Sequence, residues 1–213
     1  MSLVAKDSGE SSFTPVPPGM HLARCYRIVD LGTQKSEYQG QVKHLHKVML
    51  QFEVHGEDDT GKPLLTNKGE PMTISKNYTL SLGEKASLRK DLQTWRGRDF
   101  TADELRGFEL KNILGVWAML SVAKSVGGNG KEYTNIMSIN PVMASVKKAG
   151  LPEGFNTLGL FYISSPDMDM FDTFSKGLKE KIQSSPEWQS RSSNGSSKPN
   201  NSGFDDMADD IPF

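Results

Sequence analysis

The chain has 213 residues, 36% of them hydrophobic, which is enough to bury one core with length left over for tails. Its single cysteine, Cys25, excludes an internal disulfide framework, and the absence of a basic-then-apolar leader or a bilayer-length apolar run leads us to expect a cytoplasmic protein and no membrane partner. The formal net charge of −1 is unevenly spread: residues 184–213 carry five acids and two bases, net −3, leaving +2 on residues 1–183, which suits an anionic ligand for the body and a basic partner for the tail.

Residues 1–18 read as a flexible lead-in, polar and then interrupted by Pro15, Pro17 and Pro18. From Gly19 the pattern is strand-like. Met20–Leu31 forms a first strand closed by Gly32-Thr33. Lys43–Val54 forms a second, in which Val48, Leu50, Phe52 and Val54 alternate with Lys47, Met49, Gln51 and Glu53, the period of a sheet with one buried face. After a loop of turn formers, Met72–Leu82 reads as a third strand. The period then changes, because Ala86, Leu88, Leu92 and Trp95 mark one face of a helix over Glu84–Arg96 that Gly97 ends. A helical turn fits Asp99–Arg106. Ile113–Val122 is a fourth strand, and the turn Gly127-Gly128-Asn129-Gly130 leads into a fifth, Lys131–Ile139.

The order β-β-β-α-β-β over residues 19–141 fits a mainly β chain with the OB-fold, a five-stranded Greek-key barrel. Residues 142–184 read as a strand and helix extension: Thr157–Ile163 as a sixth strand, then a helix from the Ser164-Ser165-Pro166-Asp167 start to about Ser184, with Phe171, Phe174, Leu178 and Ile182 on one face. That stripe packs on its own domain or on another subunit, so a homo-oligomer stays open. Residues 185–203, rich in Ser, Asn, Gly and Pro, read as a flexible linker, and residues 204–213 as an acidic partner-binding tip.

The tip, Phe204-Asp205-Asp206-Met207-Ala208-Asp209-Asp210-Ile211-Pro212-Phe213, joins four carboxylates to an apolar ending. Carboxylates suit a basic surface, Phe213 suits a pocket with an arginine for its terminal carboxylate, and Pro212 limits the freedom lost on docking. This ending resembles the C-terminal tip of bacterial single-stranded DNA-binding proteins. The segments Ala23–Thr33, Leu88–Arg98 and Gly130–Ile136 look like parts of bacteriophage-type single-stranded DNA-binding proteins, and that resemblance runs over residues 19–141. It implies a phage-encoded protein that coats single-stranded DNA without sequence readout in replication, recombination or repair. The tip would then recruit host or phage replication, recombination and repair enzymes through Asp205, Asp206, Asp209, Asp210, Ile211, Pro212 and Phe213.

A nonspecific single-strand binder needs spaced cations and aromatics on an open sheet surface. Arg24, Arg27, Lys43, Lys47, Lys76 and Lys131 are interleaved with Tyr26, Tyr78, Trp117 and Tyr133. Lys111 and Lys124 extend the set. Trp117 sits in a strand whose alternate positions supply a core face, so its indole either faces outward to stack or serves as a core or interface residue. Trp95, in register with Leu88 and Leu92, pins the helix to the barrel, and Arg96 and Arg98 are secondary phosphate candidates. Catalytic patterns are lacking: Glu132 follows Lys131 where a phosphate loop requires Ser or Thr, and His44 and His46 have no nearby thiols or carboxylates in sequence. We therefore expect no enzyme, no cofactor and no metal. The rival reading is a protein-interaction module that uses the tip to capture host replication and repair enzymes without itself coating DNA.

Overall fold

The computed structural model describes residues 14–38, 40–127, 130 and 132–194. It is mainly β, an antiparallel sheet to which one short parallel strand is added. Strand β1 (Gly19–Tyr38) pairs with β2 (Gln41–His55), β2 with β3 (Thr73–Thr79), β1 with β4 (Trp117–Val126), and β4 with β5 (Glu132–Asn140), giving the lateral order β3-β2-β1-β4-β5. β3 and β5 approach each other, so the sheet curls toward a barrel-like closure. Helix α1 (Ser87–Arg96) follows β3 and buries Leu88, Leu92 and Trp95, with Gly97 in the left-handed conformation that ends it. Trp95 donates its indole N–H to the Trp117 carbonyl at 2.9 Å and packs on Phe52, as its register predicts.

Beyond α1, the chain makes α2 (Ala102–Arg106), capped reciprocally by Thr101 and Glu104, and a 3₁₀ turn at Leu110–Ile113. This displaces β4 from the expected start at Ile113 to Trp117. Alternate inward residues of the strands, among them Ala23, Cys25, Ile28, Leu50, Phe52, Ala118, Leu120 and Ile139, form the main core with Tyr78 and α1. Val16 is also there, 1% exposed, and His21 Nε2 lies 2.8 Å from the Pro17 carbonyl, so the described end of the lead-in is anchored rather than loose.

Gly32 does not close β1. The strand shifts register between Asp30 and Gly32 and continues to Tyr38, making with β2 a long two-stranded arm. Gly32 has φ 65°, and a Cβ there would lie 2.7 Å from Ser185 Cβ and 2.8 Å from Ile163 Cδ1. It is a glycine because a register shift and a close crossing coincide.

The crossing chain is the C-terminal extension. After α3 (Ala144–Ala149), residues 154–156 pass over Arg24, and β6 (Gly159–Phe161) pairs in parallel with Arg27–Val29. The single helix expected after Asp167 is broken at Thr173–Ser175 into α4 (Met168–Asp172) and α5 (Lys176–Gln183), each with its own side-chain cap, from Asp167 and Ser175. Where composition reads as a linker, the chain forms α6 (Pro186–Asn194). Ser185 Oγ accepts from the Trp188 N–H at 3.3 Å, and Trp188 stacks on Phe171 at 4.6 Å. Phe161, Ile163, Phe171, Phe174 and Ile182 bury against Val29, Leu31 and Met49, a second core on the outer face of β1 and β2. Burying each such side chain contributes about 1.5–3 kcal/mol.

Candidate nucleic-acid interface

Side-chain parity decides where each candidate residue goes. On β2 the even positions 48 to 54 face the main core, so Lys43, Lys47, Met49, Gln51 and Glu53 share the outer face. Pairing carries that face onto β1 and β3 through the rungs Arg24–Glu53–Thr73 and Arg27–Gln51–Ser75. On β3 the inner positions are Ile74, Lys76 and Tyr78, leaving Thr73, Ser75 and Asn77 exposed outside.

The extension covers much of the outer face of β1, and two expected binding residues, Arg24 and Arg27, are thereby occupied. Arg24, 14% exposed, donates from Nε to Glu53 Oε1 at 2.8 Å and from Nη2 to the Asn156 carbonyl at 2.6 Å. Glu53 is fully buried. It also accepts from the backbone N–H groups of Phe155 (3.0 Å) and Asn156 (2.6 Å), from Asn156 Nδ2 (2.7 Å), and lies 3.1 Å from His55 Nε2. Burial opposes its ionisation, but these donors, led by the Asn156 backbone, hold the carboxyl below its ordinary range. Arg27 lies 5.4 Å over both the Tyr26 and Phe174 rings. Tyr26 is buried, which pushes its phenol up. Arg24, Glu53 and Arg27 fasten the extension to the sheet.

Lys76 and Tyr78 are the other departure. Both turn inward and meet at Asp91 of α1, with Lys76 Nζ at 2.7 Å and Tyr78 Oη at 2.6 Å from the same oxygen. Tyr78 is 2% exposed, and burial followed by the hydrogen bond to Asp91 raises its phenol well above the ordinary value. A ring so enclosed offers no face to a base. The expectation that they line an open surface fails on parity: Ile74 faces inward, so positions 76 and 78 do too.

Trp117 is half-buried on the outer side, edge-on to His55 at 4.9 Å, while Ala118, Leu120 and Val122 take the core. Lys111 pairs with Glu109, and Lys124 with Glu132 at 3.0 Å, exposed pairs of little energetic weight. Arg96 and Arg98 converge on Glu104, whose carboxyl is held down to about 2 by the Arg98 hydrogen bond first, and Arg96 lies over the Phe100 and Phe108 rings. His46 bonds to Asp30 at 2.7 Å, and Cys25 is buried with its thiol pushed up by desolvation. Among the described residues no group of three or more metal-ligating side chains gathers, and no helix is long and apolar enough to cross a membrane. Lys131 and the tip residues Asp205, Asp206, Asp209, Asp210, Ile211, Pro212 and Phe213 lie outside the described residues.

Two open surfaces among the described residues hold Lys43, Lys47 and Tyr133. One is the arm, with Lys43 exposed and Lys47 half-buried. The other is a groove of about 440 Å³ between β3 and β5, bounded by Gln51, Thr73–Ser75, Glu132–Thr134 and the Pro15-Val16 segment. Tyr133 is 46% exposed there, and Gln51 contributes a buried Oε1 without a partner among the described residues. Among the described residues its lining carries no cation; beside the Glu132 carboxylate, which Lys124 pairs, it offers an aromatic face, hydroxyls and an amide, groups that suit base faces and edges rather than phosphate. Thr73, Ser75 and Gln51 escape a sequence search keyed to charge and aromaticity, although the alternation of Thr73, Ser75 and Asn77 with Ile74 and Tyr78 marks them as outward. Comparison with protein-family models gives no match, and comparison with the curated proteins gives none either.

Proposed function

We propose that residues 19–141 form an OB-fold that binds single-stranded DNA without sequence readout, and that the acidic tip recruits replication, recombination and repair enzymes to the coated strand. The observation that carries this reading is the groove between β3 and β5, where an exposed tyrosine stands beside uncharged donors and acceptors on an otherwise polar sheet face. The strand order β3-β2-β1-β4-β5, with α1 between β3 and β4, supports the same fold. In the arm, Lys43 and Lys47 supply charge for phosphates at a distance from the base groove. The tip's sequence supports the recruiting half, and the resemblance to phage and bacterial single-strand binders joins the two.

A salt titration of binding to a labelled oligonucleotide tests it. The expected result is a preference for single strand over duplex and a linear fall of log K with log salt that is the same across sequences. Absence of single-strand binding, together with capture of a host repair enzyme by the tip, would favour the interaction-module reading instead.

A further inference from the structure

Three lysines from two distant parts of the chain line one side of the arm, Lys181 and Lys47 at its base and Lys43 farther out. Lys43 and Lys47 share one face of β2, about 13 Å apart at the strand rise of roughly 3.3 Å per residue. Opposite them on β1, and on the same face, stand Ser36 and Gly32, with Gln34 between. Gln34 Nε2 donates to the carbonyls of Leu31 at 2.7 Å and Lys181 at 2.9 Å, which ties the last turn of α5 beside this face. The crossing at Gly32, where Ile163 and Ser185 close on the strand, fixes that turn from its other side.

Lys181 is half-buried, and its ammonium is held below the ordinary lysine value, by burial first and by the charge of Lys47 second. Among the described residues, no carboxylate lies within ion-pair distance of Lys43, Lys47 or Lys181. The other lysines of α5 are different: Lys176 meets Glu180 at 3.9 Å and Lys179 meets Asp172 at 3.3 Å. Like charges held together without a counter-charge cost the folded chain stability and are relieved by an anion. Their spread along the arm, rather than around one point, suits a linear polyanion.

We propose that Lys181 of the C-terminal extension joins Lys47 and Lys43 of the arm in binding the phosphodiester backbone of a single-stranded nucleic acid, so that the extension is part of the binding surface. This inference rests on the single-strand-binding reading above. It assigns phosphate contact to the arm and α5, and base contact to the groove between β3 and β5.

The test is fluorescence anisotropy of a labelled homopyrimidine oligonucleotide over a salt series, with the full chain and its Lys181→Gln, Lys181→Arg and Lys176→Gln variants. Lys181→Gln is expected to weaken binding several-fold at low salt and to reduce the magnitude of the log K against log salt slope by about 0.7, the value for one phosphate contact on a single strand. Lys181→Arg keeps the slope, and Lys176→Gln leaves both quantities unchanged. An unchanged slope or tighter binding in Lys181→Gln, with normal binding by the parent chain, overturns the assignment of Lys181 alone. Failure of the parent chain to bind single strands overturns the assignment and the underlying reading together.

Discussion

Glu53 shows how one residue can be read correctly as outward-facing and still be unavailable to ligand. Its strand parity puts it on the outer face, where the extension then buries it among Arg24, His55, Phe155 and Asn156. Because its folded-state pKa is depressed, its contribution to stability is present above the ordinary carboxylate range and is lost as pH falls through the lowered value. Replacing it with Gln leaves the buried Arg24 guanidinium without its counter-charge. The expected cost at neutral pH is about 3–5 kcal/mol, read by urea unfolding, and the gap to the parent chain should narrow below the ordinary carboxylate range as Glu53 itself is protonated. Tyr133 belongs to the same scale with the opposite consequence. It is exposed at the groove, so Tyr133→Ala should leave the melting temperature nearly unchanged while weakening single-strand binding by about 1–3 kcal/mol, measured by anisotropy. Tyr133→Phe, which keeps the ring face, should bind like the parent.

Among the elements, the extension is the one whose contacts most reshape the reading of the sequence. Trp188 stacks on Phe171 and lies 5.4 Å from Arg191, so α6 closes the second core rather than hanging from it. Trp188→Ala should cost about 2–4 kcal/mol and open residues 186–194 to limited proteolysis, from which the parent chain protects them. The signal for α6 is present in Ser185-Pro186-Glu187: a capping serine, a proline at the first helical position and an acid in the first turn. The low apolar content of the following residues masks it. The five strands of the body and α1 are legible because their periods are clean, as Val48 to Val54 and Leu88 to Trp95 show. The continuation of β1 past Gly32 is not, because a glycine that stops a strand and one that admits a crossing chain look alike until Ile163 and Ser185 are in view. The site is legible only in part for a related reason: Arg24 and Arg27 have the right chemistry on the right face, and what removes them is a partner segment about 130 residues away.

At the scale of the whole molecule, the charge division of the sequence becomes a spatial proposal: cations on an arm, a groove with an exposed tyrosine at a distance from it, and carboxylates at the far end of the chain. Deleting residues 204–213 should abolish capture of repair enzymes in a pull-down, while single-strand affinity stays the same or rises because competing carboxylates are gone. Weaker DNA binding by the shortened chain would count against that division. The strand β1 has a further consequence, for the order of assembly. Its partner β2 follows it directly as a hairpin, β4 returns to Gly19–Arg24 from residues 117–122, and β6, last of the three, must find Arg27–Val29 from residues 159–161. During synthesis the body can therefore be complete while Phe161, Phe171 and Phe174 are still unplaced, and Val29, Leu31 and Met49 stay bare until they arrive. A chain interrupted within the extension would carry an intact groove and a sticky flank, competent to hold a strand yet prone to cluster with others of its kind.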